Sequence, residues 1–162
     1  MYKQHLLLNL KREIDLLKQL APLIEAKDLE YRPHEKIRST YELMQYLGTI
    51  GEVIFRWMLK NDITPEVRLE LKAKREAITI DNFSTVLDEQ MRIIEQYMAD
   101  ITEDELYSRE VEMPSKEKMV LGAAIINGPI KWLAAYRMDL FMFLKMNGKF
   151  ELGTKEAWIL AE

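Results

Sequence analysis

Met119 to Met146 reads MVLGAAIINGPIKWLAAYRMDLFMFLKM, the most hydrophobic stretch of the chain. Apolar side chains fall nearly all round a helix drawn through it. Such a helix needs burial on every side, either at the centre of a helical assembly or with one face against a second subunit. Gly128-Pro129 interrupts it. A proline inside a helix removes a hydrogen bond and crowds the preceding turn, at a cost of about 3 kcal/mol, so a kink or two half-helices are expected. Trp132 and Tyr136 follow, four residues apart and therefore on one face. Asp139, three residues on, flanks that face. Lys131, Arg137 and Asp139 break the apolar run well short of the about 20 residues a membrane span requires, so no membrane segment is expected. Ser115 is the expected cap of this helix and Asn147-Gly148 its end.

Working outward, three more helical patterns precede it. Leu6, Leu10, Ile14, Leu17 and Leu20 mark a first helix that Pro22 should end. Ser39 with Glu42 three residues later is a capping box. It opens a second helix over about 40–59, with Leu43, Tyr46, Leu47, Ile50, Ile54 and Trp57 as its stripe. Gly48 and Gly51 inside it imply close approach by a neighbour. Pro65 fits the first turn of a short, charged helix expected to be exposed. Phe83 to Ala99 is a third long helix, with Gln90 on its inward stripe. Tyr107 to Met113 alternates weakly and should be extended, but no strand pair is evident. Four long amphipathic segments without sheet or internal repeat give an all-α four-helix bundle in one domain, with room for a crossover between the second and third helices.

Composition removes several functions. The chain has 162 residues, 48% hydrophobic and 31% charged, and a net charge of −4 with both signs interspersed. No basic stripe offers a nucleic-acid footprint. The lack of cysteine excludes disulfides, thiolate catalysis and cysteine metal sites, and is compatible with a cytoplasmic location. The N-terminus, MYKQHLLLNLKREIDLLK, has no signal-peptide pattern. No glycine-rich phosphate loop occurs, and no Glu-x-x-His metal motif.

Two runs resemble the DinB-like family. One is Tyr31-Arg32-Pro33 followed by Ser39-Thr40-Tyr41-Glu42-Leu43-Met44-Gln45-Tyr46-Leu47. The other is the closing run from Ala135-Tyr136-Arg137 through Asn147-Gly148. The resemblance spans about residues 5–148. It implies a bundle of up-up-down-down type, often dimeric, whose members include presumed metal-dependent hydrolases and thiol-dependent transferases. Many members hold a divalent metal through three histidines, one on the second helix and two on the fourth; such a set leaves an open position for water or substrate. Carried over residue by residue, those positions are Tyr46, Trp132 and Tyr136. The only histidines of the chain, His5 and His34, lie elsewhere. The resemblance therefore implies a member with no metal and no cofactor.

Two readings of Tyr46, Trp132 and Tyr136 stand side by side. Aromatics at helical spacing ordinarily fill a core. Alternatively, the former metal pocket persists as an aromatic-lined cavity for a small molecule, with Asp139, Gln90 and Glu52 as polar flanks. The functions that follow are a small-ligand-binding or interaction protein, expected as a homodimer, or an enzyme of the family type using other ligands.

Overall fold

The computed structural model describes residues 1–161. Helix α1 spans Tyr2–Leu20 and ends in a tight turn at Ala21–Leu23, where Pro22 stops the ladder. A loop leads to α2 (Thr40–Leu47) and α3 (Ile50–Lys60). The short α4 is Pro65–Glu76, α5 is Phe83–Ala99, and α6 is Glu105–Ser108. Strands β1 (Glu110–Glu112) and β2 (Lys118–Val120) form a hairpin. Then come α7 (Leu121–Ile125), a π-helical segment (Ile126–Ile130), α8 (Lys131–Met146) and α9 (Thr154–Trp158).

The long elements form a four-helix bundle in which α1 lies diagonally opposite α2–α3. Contacts along the axes give each direction. Lys18 meets Asp88 while Lys3 meets the Ala99 carbonyl, so α5 runs against α1. Glu13 meets Arg137 and Tyr2 abuts Gly122, so the last helix runs with α1. Gly48 faces Val86 and Phe55 stacks on Tyr97, making α3 and α5 parallel. The order is up-down-down-up, which corrects the up-up-down-down order that the resemblance implied. Parallel α3 and α5 need a connection that returns the length of the bundle, and the segment carrying α4 is that crossover.

Three local expectations change. The second helix is broken, with α2 ending at Leu47 and Thr49 leaving helical geometry at φ −131° and ψ −18°. The Thr49 hydroxyl bonds back to the Gln45 and Tyr46 carbonyls, in competition with the backbone ladder. A side chain at Gly48 would push its neighbours aside: a Cβ there would lie 2.6 Å from Ile78 Cδ1 and 3.2 Å from Val86 Cγ1. Secondly, Met119-Val120 begins no helix. It pairs with β1 in the register Val111↔Met119, and Ser115 sits in the hairpin turn rather than at a helix cap. An apolar pair reads equally as strand or helix, so periodicity alone missed the hairpin. Thirdly, the kink at Gly128-Pro129 takes the form of a π-helical turn. The wider turn removes the clash between the proline ring and the preceding turn of the ladder. Gly128 there lets Ile54 and Met113 pack on the backbone.

The capping box at Ser39–Glu42 is present: the Ser39 amide donates to Glu42 (2.7 Å) and the Glu42 amide to Ser39 Oγ (3.2 Å). Gly148 adopts φ +109°, the left-handed stop expected after α8. Leucine, isoleucine, methionine and phenylalanine side chains from all four long elements make one continuous core. No described helix is long and apolar enough to cross a membrane.

Candidate functional site: an arginine-tyrosine cleft beside the broken helix

The break after Leu47 leaves backbone groups without ladder partners, and α5 supplies them. Gln90 is buried, and its Oε1 accepts from the Gly51 amide at 2.7 Å and the Glu52 amide at 3.4 Å. Its Nε2 donates to the Leu47 carbonyl at 3.0 Å. One side-chain amide thus satisfies the end of α2 and the start of α3 together. The inward position read from the sequence is correct, but the side chain is fully occupied in the scaffold. Glu52 is likewise committed: it pairs with Lys74 and ties α3 to α4.

That tie fixes how α4 lies. Val67, Leu71, Arg75 and Ile78 follow at helical spacing; Leu71 and Ile78 are buried, and Arg75 is half-buried one turn beyond Leu71. Arg75 Nε donates to Thr49 Oγ1 at 3.3 Å, so the residue that breaks the second helix also anchors this guanidinium. Arg75 Cζ lies 5.3 Å from the centroid of the Tyr46 ring. A second guanidinium, Arg38, comes from the loop just before the capping box. Its Cζ lies 4.3 Å from the Tyr46 centroid and 5.8 Å from that of Tyr136. Tyr46 and Tyr136 meet edge to face, with centroids 4.9 Å apart at 78°. Such a pair contributes about 0.5–1.5 kcal/mol beyond area burial.

Two clefts open on either side of Arg38. One, of about 510 Å³, is lined by Lys36, Arg38, Tyr46, Lys72 and Arg75, with Glu35, Glu42 and Glu76 also on its wall. The other, of about 540 Å³, is lined by Arg38, Leu43, Tyr136, Asp139 and Phe143. Both fall within the size range of small-molecule sites.

The electrostatics are uneven. Burial, reinforced by the neighbouring Tyr136 and only partly offset by Arg38, pushes the Tyr46 hydroxyl up to about 12. It stays protonated at neutral pH and is available as a hydrogen-bond donor rather than as a base or nucleophile. Burial also lowers the pKa of Arg75, with Arg38 nearby acting in the same direction. Partial burial raises the Asp139 carboxyl, although much of that side chain stays in contact with solvent. No ion pair to Asp139 is formed among the described residues.

The structure brings together Tyr46 and Tyr136 and sets Asp139 beside them. Trp132 is half-buried against the core and lines neither of these two clefts. Arg137 points away, as expected. It is fully buried, donates to Glu13 at 2.8 Å and to the Ala157 carbonyl, and lies over Trp158. His5 and His34 are both exposed. Sequence reading missed Arg38 and Arg75. For Arg75 the signal was present, in the Val67–Leu71–Arg75–Ile78 spacing. For Arg38, in a loop, there was none.

The residues at the three positions that the resemblance singles out do not suit a divalent metal. An indole offers no lone pair for ligation, and the Tyr46 phenol is held neutral. Among the described residues no three His, Cys, Asp or Glu side chains are placed to hold a metal ion.

No protein-family model matches the sequence. No curated protein matches it either. Among solved structures the chain is similar to the crystal structure of a DinB-like protein, YjoA, from Bacillus subtilis. The TM-score is 0.67 at 16% identity, over 92% of this chain and 95% of that one. At that identity the likeness concerns the fold, and with the bundle, its broken second helix and its kinked last helix in view, the protein is a four-helix bundle of the DinB-like fold.

Proposed function

We propose that this protein binds a small molecule in the cleft pair walled by Tyr46 and Tyr136, and that it does so without a metal. The observation that carries this reading is the Tyr46–Tyr136 pair itself. Two aromatic rings meet at positions that the resemblance assigns to family histidines, and each lines an open cleft while resting partly on the core. The family alternative, a metal-dependent hydrolase or thiol-dependent transferase, finds no group of three His, Cys, Asp or Glu ligands among the described residues to support it.

The test is a calorimetric or ligand-observed NMR screen of the full chain with small ring-bearing compounds, on protein purified without added metal. Binders are expected, and Tyr46→Ala or Tyr136→Ala should weaken them by about tenfold, the scale of one lost aromatic contact. Unchanged binding in both variants, or one tightly held transition-metal ion per chain by elemental analysis, would overturn the reading.

A further inference from the structure

Arg38 and Arg75 both lie over the ring of Tyr46, and among the described residues neither has a carboxylate within salt-bridge distance. This is unusual company for the surface of an acidic chain. The other cations near this cleft are mostly neutralised: Arg32 pairs with Glu42 at 3.4 Å and Lys72 with Glu76 at 3.6 Å. Two of the three glutamates on the wall are thereby committed. Glu42 also accepts from the Ser39 amide. Glu35 and Lys36 remain and offset one another. The surplus on the cleft wall is therefore the two guanidiniums.

Holding them together costs free energy. Like charges side by side repel, and Arg75 is half-buried, which costs more. Cation–π contact with Tyr46 offsets only part of this. Arg75 gives one N–H to Thr49 and keeps its remaining donors free. Arg38 makes no hydrogen bond to another described residue. Two planar donor forks, without a carboxylate partner among the described residues and converging on one protonated phenol, form a receptor for an oxyanion. The aromatic faces of Tyr46 and Tyr136 beside them suit a ring attached to that oxyanion.

We infer that the ligand of this cleft is a doubly charged oxyanion on a planar ring, an aryl or heterocyclic phosphate monoester, held by Arg38 and Arg75 and stacked against the tyrosine pair. Two cations match a dianion better than a monocarboxylate; a phosphate monoester carries close to two negative charges at neutral pH. The inference rests on the small-molecule reading above and adds the ligand's charge and chemical class.

The experiment titrates the full chain with three matched probes by calorimetry: phenyl phosphate, benzoate and benzyl alcohol. Phenyl phosphate should bind with a dissociation constant of about 1 mM or below, at least about tenfold tighter than benzoate, and benzyl alcohol more weakly still. Arg38→Gln and Arg75→Gln should each weaken phenyl phosphate by about tenfold or more, the scale of one charge-assisted bond. Arg92→Gln, at an exposed pair on α5, should change nothing. Thermal melts of both cleft variants check that they remain folded, and Arg38→Gln sits in a loop where folding is least at risk. Equal binding of phenyl phosphate and benzoate overturns the dianion assignment. Binding of benzyl alcohol as tight as phenyl phosphate, lost in Tyr46→Ala but not in the arginine variants, overturns the anion and leaves the small-molecule reading standing. No binding of any probe at up to about 10 mM overturns the anion inference, and the broader screen then decides the reading beneath it.

Discussion

Gln90 shows how one residue can hold a break in a helix. Its amide replaces ladder bonds that α2 and α3 lose at Gly48-Thr49, so its removal strands a buried N–H and a buried carbonyl. Orphaned groups of this kind cost about 1–3 kcal/mol each. Gln90→Leu, close in volume, is expected to lower stability by about 2–4 kcal/mol in urea unfolding, with the midpoint shifted at unchanged slope. Gln90→Glu keeps the acceptor but loses the donor to Leu47, and should also be destabilising. A loss under about 0.5 kcal/mol in Gln90→Leu would show that the break is satisfied some other way.

At the scale of elements, the C-terminal α9 is strapped to α1 and α8 by polar bonds. Arg137 donates to the Ala157 carbonyl, Arg12 to the Trp158 carbonyl at 2.9 Å, and Gln19 to Ile159 at 3.0 Å. Arg137 is the only one of the three that is fully buried, and its second terminal nitrogen has no partner among the described residues. Polar straps with little apolar burial open locally before the core does. Arg137→Met is expected to raise amide exchange across 154–159 by about tenfold or more while α1 and α5 keep their protection. Uniform acceleration through the whole chain would mean that Arg137 supports the core instead. The same logic applies to α4, where the Lys74–Glu52 pair and buried Leu71 hold the crossover that delivers Arg75.

For the whole molecule, pH acts mainly through carboxylates. Hydrogen bonds from Lys149 and then Lys27 hold the Glu25 carboxyl down to about 2. Its folded-state value lies below the ordinary 4.5, so its contribution is complete above that pH and is lost as pH falls towards 2. Glu103, Glu105, Glu112 and Glu156 are lowered in the same sense by hydrogen bonds and neighbouring cations. Asp139 acts oppositely, since burial raises it and protonation relieves the cost. Stability should therefore fall on acidification. Glu25→Gln should be less stable than the parent near neutral pH, and the gap should close as pH drops from about 5 towards 2, read from urea midpoints. A gap that stays constant across that window would exclude the ion pair as its source.

Apolar spacing determined the four long helical segments and their core faces, because burying a periodic stripe is a local requirement on the sequence, while residue chemistry alone marked the cap at Ser39–Glu42 and the interruption at Gly128-Pro129. Tyr46 and Tyr136 were singled out through the resemblance alone, and the structure brings their rings together. Other features were decided only by tertiary structure. Helix directions depend on which loops cross the bundle, which periodicity does not encode. The break at Gly48-Thr49 is held by Gln90, 42 residues beyond Gly48. The hairpin arises because Val111 and Met119 find each other across a turn. The pairing of Arg38 with Arg75 over one ring joins a loop and a crossover helix that are distant in sequence. Charges gathered that way obey no period, so only the folded chain shows two unpaired cations sharing Tyr46.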